Sequence, residues 1–64
     1  MHQVTPYRAI RQTTGLSLRE VARRAGFPNP ARLSIIERGV EPTQEEHRAI
    51  MDVLLKAVSE RVIA

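Results

Sequence analysis

The chain has 64 residues, no cysteine, two histidines far apart at positions 2 and 47, and a formal net charge of +3. That length makes one small domain with little room for a substrate cleft beside its core. The composition excludes a disulfide framework or a thiolate metal site, and no apolar run approaches the roughly 18 residues of a membrane span.

Helix signals follow one another along the chain. Thr5-Pro6 offers an N-cap followed by a proline at the first helical position, where a missing N–H costs nothing. This predicts helix 1 near 6–14, ended by Gly15 as a left-handed residue. Ser17-Leu18-Arg19-Glu20 has capping-box spacing, with Ser17 and Glu20 expected to satisfy each other's orphan donors, and it opens helix 2 near 18–25 before Gly26. Asn29-Pro30 repeats the cap-plus-proline device and opens helix 3 near 30–38, before Gly39. Thr43-Gln44-Glu45-Glu46 is a second capping box, starting a helix of about 44–63 that no glycine or proline interrupts. No stretch alternates with period two, so the fold class is all-α: a compact single domain, 1–64, of four helices with a long last one.

Apolar spacing picks out the inward faces. Tyr7 and Ile10 come from helix 1, with Leu16 in the turn behind it. Helix 2 supplies Leu18, Val21, Ala22 and Ala25, Phe27 lies in the connection, and Leu33 with Ile36 forms an i, i+3 pair on helix 3. Ile50, Val53, Leu54, Ala57 and Val58 complete the core from helix 4.

Charge is unevenly spread. Residues 1–38 carry seven arginines against Glu20 and Glu37, a net of +5, while 39–64 carry a net of −2. Clustered arginine suits bidentate phosphate or guanine contacts, although basic surfaces also serve solubility alone.

Two short helices joined by a tight turn after a glycine have helix-turn-helix spacing. In TGLSLREVARRAGF, LSIIERG and PTQEEHRAIMDVL the chain resembles the phage lambda repressor and Cro-like (XRE-type) helix-turn-helix domains over roughly residues 6–54. Ala22 stands at the small position where the two motif helices cross, Gly26 at the turn, and Glu37-Arg38-Gly39 at the close of the recognition helix. The resemblance implies double-stranded DNA as a partner and transcription regulation as the function, in a bacterial or phage-infected cytoplasm. It also implies an ion pair between Arg11 of helix 1 and Glu37, which would lock helix 3 to the scaffold and orient Arg11 near the phosphate backbone.

In such domains the second motif helix enters the major groove. With Leu33 and Ile36 turned inward, Pro30, Ala31, Arg32, Ser34, Ile35 and Arg38 face outward. Arg32 is expected to carry most of the base discrimination, forking onto a guanine or clamping a phosphate. Ala31 and Ile35 suit thymine methyls, or in the case of Ile35 a protein. Ser34 is either a base or phosphate contact or plain surface, and Arg38 is placed for the backbone. Asn29 is a helix cap first and a nucleic-acid contact second. The positive end of helix 2, at Ser17 to Arg19, is a phosphate site, and Arg19 and Arg23 either assist it or form a solvated face. The chain departs from the pattern it resembles at Leu18, where many family members carry a phosphate-contacting glutamine, and at Glu41, in a loop that is often basic in the family. It also has one extra residue between Gly26 and Glu37, and His47 where leucine is usual. These departures point to weaker DNA binding, or to binding that needs a dimer or a second protein.

The last helix carries an apolar stripe wider than one small domain needs, with Arg61 inside it and His47 expected to be partly buried. Its excess, chiefly Met51, Leu55, Val58 and Val62 within 43–64, suggests a homodimer or a second regulatory protein; a frayed end covering the domain's own core is the alternative. A protein-interaction module that modulates a repressor or neutralises a toxin through helix 3 and the last helix is the competing function. No serine has nucleophile-elbow context and no carboxylate pair or metal-ligand spacing emerges, so no catalytic residue, metal, cofactor or small-molecule substrate is expected.

Overall fold

The computed structural model describes residues 6–63, with side-chain surroundings through Arg61. Four helices follow in order: α1 (Tyr7–Thr14), α2 (Leu18–Arg24), α3 (Pro30–Glu37) and α4 (Gln44–Ile63). There is no strand among the described residues. α4 spans the domain and packs against α1 and α2, while α3 rests on α2.

The local causes of these boundaries are visible in the backbone. The Ser17 hydroxyl accepts the Glu20 N–H at 3.1 Å, and the Asn29 side-chain oxygen accepts the Ala31 N–H at 2.8 Å, with Pro30 as the first residue of α3. Both caps therefore quench donors that the first turn cannot satisfy. α2 and α3 each end in a Schellman turn. Phe27 N–H reaches back to the Ala22 carbonyl and Gly26 N–H to Arg23; Val40 N–H reaches Ile35 and Gly39 N–H reaches Ile36. Gly26 and Gly39 hold φ of 85° and 122°, a left-handed backbone that a side chain would strain.

Two expected caps differ. Thr5 lies outside the described residues, and α1 begins at Tyr7 with Pro6 in the N-cap position rather than inside the helix; the Pro6 carbonyl accepts the first helical bond, from Ile10 N–H. At α2 the capping box is made in one direction only. The Glu20 carboxylate turns away from Ser17 and takes Arg23 and Arg24, because two guanidiniums one turn along the helix offer charge-assisted bonds. These hold its carboxyl down at about 2, Arg23 contributing most. The Thr43 box closes both ways: Glu46 N–H donates to the Thr43 hydroxyl at 3.1 Å and Thr43 N–H to the Glu46 carboxylate at 2.8 Å.

The core is Tyr7, Val21, Ala22, Leu33, Ile36, Ile50, Val53, Leu54 and Ala57. Ile10, Leu16, Leu18, Ala25 and Phe27 are only partly buried around it, and Val58 is half-buried. Met51, expected in the surplus stripe, packs against this core, so the unpartnered apolar surface of α4 is narrower than its sequence suggests. Thr14 is buried without having been expected there. Its hydroxyl donates to the Arg11 carbonyl and accepts Leu16 N–H, closing α1 from within. Arg61 also leaves the stripe and donates to the Thr14 carbonyl, where a cation suits the negative end of α1. His47 is exposed rather than partly buried, yet its Nδ1 is hydrogen-bonded to the hydroxyl of buried Tyr7. Tyr7 thereby buries its ring while its polar tip finds a partner, and burial raises its pKa.

Candidate nucleic-acid interface

The candidate site is α3 with the turn before it and the start of α2. Leu33 and Ile36 are fully buried and fasten α3 to the core, Glu37 turns to Arg11, and the remaining side chains of the helix are at least partly accessible. Ala31 and Arg38 are exposed; Ser34 and Ile35 are partly covered; Pro30 and Arg32 are intermediate. At the start of α2, Ser17 and Arg19 are exposed; the Ser17 oxygen accepts in the helix cap, which leaves its O–H free to donate. Asn29 is likewise exposed and engaged as the cap of α3.

Each end of α3 is tied to another helix by an arginine and a carboxylate. At the C-terminal end, Arg11 Nε donates to Glu37 at 2.7 Å and Nη2 donates to the other carboxylate oxygen at 3.2 Å. Arg11 Nη1 donates further to the Leu16 carbonyl at 3.2 Å, so all three guanidinium nitrogens are used within the fold. The two side chains are 16% and 6% exposed. This is the pair the family resemblance implies, and it leaves Arg11 one N–H on each of Nη1 and Nη2 beyond the three already used.

The N-terminal end holds a contact that the sequence did not reveal. Arg32 Nε and Nη2 donate to the two oxygens of Glu46, each at 2.8 Å, linking the first turn of α3 to the first turn of α4. Glu46 thus serves as box partner of Thr43 and anion for Arg32 together. Arg32 first and the Thr43 N–H second hold its carboxyl down at about 2, and the same contact raises the Arg32 pKa. The pair lies at the rim of an open hollow of about 440 Å3 that Phe27, Asn29 and Glu45 also line. Only Arg32 Nη1 has no acceptor among the described residues.

The free cations are consequently fewer than the composition implies. Arg11, Arg23, Arg24 and Arg32 each carry a carboxylate partner. Arg8, Arg19, Arg38 and Arg48 have none among the described residues, and of these Arg38 is the one on the candidate helix end. On α4, Leu55 is 58% exposed and Val58 half-buried; the Val62 side chain lies outside the described residues. A shallow hollow beside Leu55 is lined by His47, Arg48 and Met51. The described residues contain no group of three His, Cys, Asp or Glu side chains placed to hold a metal ion, and no helix long and apolar enough to cross a membrane.

Comparison of the chain with family models, with curated proteins and with solved structures found no match.

Proposed function

We propose that the chain is a small DNA-binding transcriptional regulator of the phage lambda repressor and Cro-like kind, which lays α3 in the major groove. One observation carries this reading. α3 is held by two fully buried apolar residues and a bidentate ion pair, while Ala31 on the helix and Arg38 at its C-cap are exposed and Ser34 and Ile35 are partly so. A reading helix needs this combination, because base discrimination depends on side chains carried by a rigid mount. The arginine excess of residues 1–38 supports it.

Within that reading, Arg38 is the arginine of the motif that is ready for a phosphate or a base, and Arg19 beside the N-terminus of α2 is ready for a phosphate. Ala31 and Ile35 offer apolar contact to thymine methyls and Ser34 a hydroxyl to a base or phosphate. Asn29 contributes mainly by launching α3. Arg32 enters with Nη1 and the second Nη2 N–H unless Glu46 releases its whole fork. A homodimer through Leu55 would set two copies of α3 on half-sites about one DNA turn apart, in a cytoplasmic setting.

Selection of duplexes from a random pool, followed by titration under rising salt, tests the proposal. The expected outcome is a selected motif and an affinity that falls steeply with salt as arginines give up their phosphates. Absence of binding even at low salt overturns it. A second reading, a helix-turn-helix module that grips a regulatory protein or a toxin, is favoured by exposed Leu55 and partly covered Ile35. Loss of function in Ile35→Glu or Leu55→Glu with DNA affinity unchanged would select it.

A further inference from the structure

Among the described residues, Glu46 is the one acidic side chain that reaches across to the outward-facing set of α3. It meets Arg32 in the bidentate manner open to a phosphate, with its two oxygens accepting from Nε and Nη2, each at 2.8 Å. The pair is 37% and 24% exposed, open enough for a competing anion to reach it. Glu46 is itself fixed by the N-cap of α4, since Thr43 N–H and the Thr43 hydroxyl hold its carboxylate and backbone in place. The Thr43 N–H therefore restrains the carboxylate independently of Arg32. A cation on one helix, held among the described residues by this contact alone, thus faces an anion on another that has a second tether.

We propose that Glu46 is a specificity-determining residue that masks Arg32, occupying its guanidinium in place of a phosphate until a better-placed anion displaces it. The inference rests on the DNA-binding reading for its biological meaning, but the masking itself is a property of the two side chains. Its consequence is selective. A non-specific duplex offers Arg32 one phosphate in exchange for one carboxylate and returns little, because both are anions of similar geometry. Only a site that also engages Arg38, Ser34 and Ile35 holds α3 close enough for the exchange to proceed. Masking so lowers non-specific affinity more than specific affinity, which is the ratio that matters for a regulator. The departures from the family at Leu18 and Glu41 act in the same direction.

Glu46→Gln tests this, because glutamine at the third helical position still closes the Thr43 box while losing the charge that holds Arg32. Binding to a non-specific duplex is measured against salt for the parent, Glu46→Gln, Arg32→Gln and the double variant. Glu46→Gln is expected to tighten non-specific binding about tenfold at low salt and to steepen the salt slope by about 0.9, the signature of one added phosphate contact. In the Arg32→Gln background the same change leaves the slope unaltered. Equal effects in both backgrounds would reduce Glu46 to a general repulsive charge and overturn the masking. Weaker binding in a folded Glu46→Gln would likewise overturn it and make the pair a mount for α3. If no variant binds DNA, the functional reading fails and masking is judged by inorganic phosphate alone. Phosphate should then shift the Arg32 Nε–H resonance in Glu46→Gln and leave the parent unmoved, and matching titrations would overturn the inference.

Discussion

The two ends of α3 carry the same chemistry in different surroundings. Arg11–Glu37 and Arg32–Glu46 are both bidentate arginine–carboxylate pairs, yet the first is 16% and 6% exposed and the second 37% and 24%. Arg11 also spends its third nitrogen on the Leu16 carbonyl, whereas Arg32 Nη1 is left over. Burial makes the inner pair costly to break, because either partner alone would be a charge stranded away from water. Exposure lets solvent replace either partner of the outer pair, or another anion replace Glu46, at small cost. The inner pair is a fixture and the outer one an exchangeable contact, and burial rather than geometry separates them.

The largest expected effect breaks the fixture. Glu37→Ala should destabilise the domain by about 3 kcal/mol, the lower end for removing one partner of a buried pair, as read from urea unfolding followed by circular dichroism. A cost no greater than that of an exposed pair would erase the distinction between the two ends. Next comes the cap at the outer end: Asn29→Ala removes the acceptor for Ala31 N–H and should cost about 1 kcal/mol by the same measurement. An unchanged midpoint would show that Pro30 and the Arg32–Glu46 pair position the start of α3 without it.

Acid titration sharpens the comparison further. Glu46 and Glu20 are both held down at about 2 from an ordinary value of 4.5, first by arginine partners and, for Glu46, next by the Thr43 N–H. A carboxyl depressed in the folded state adds stability above the unfolded pKa and loses it as pH falls through the folded one. Stability should therefore decline between about pH 4.5 and about pH 2, and this decline should shrink in a Glu20→Gln, Glu46→Gln double variant. An identical decline in the variant would assign it to other carboxyls. The smallest effect belongs to Leu55→Glu, which touches neither clamp. Stability should stay within about 0.5 kcal/mol, while solution mass and apparent DNA affinity fall if Leu55 closes a dimer. An unchanged mass would remove Leu55 from any self-association.

Much of the fold was legible because its causes are local. Ser17, Asn29 and Thr43 cap the helices they precede, and Gly15, Gly26 and Gly39 end the preceding ones at positive φ, since a cap needs only neighbours two or three residues away. Leu33 and Ile36 were legible as core from their spacing. Thr14 was not, because a buried hydroxyl gives no periodic signal; its burial depends on bonds to Arg11 and Leu16 that form only once the turn closes. Glu20 broke its expected box because two arginines one turn along outbid a single backbone donor. Met51 left the expected partner surface because an apolar stripe measured on an isolated helix does not show where the neighbouring helices lie.

The residues of α3 that face outward followed from sequence, but what each is free to do did not. Four helices, their limits and the inward faces were determined by capping chemistry and apolar period, both short-range properties of the chain. Arg32 stands 14 residues from Glu46 in sequence, and no local rule pairs them. Only the packing of α4 across α1 and α2 carries its capping-box carboxylate to the first turn of α3. The tertiary structure thereby decided which arginines are occupied and which, like Arg38, are available, because an ion pair depends on position in space and a cap depends on position in the chain.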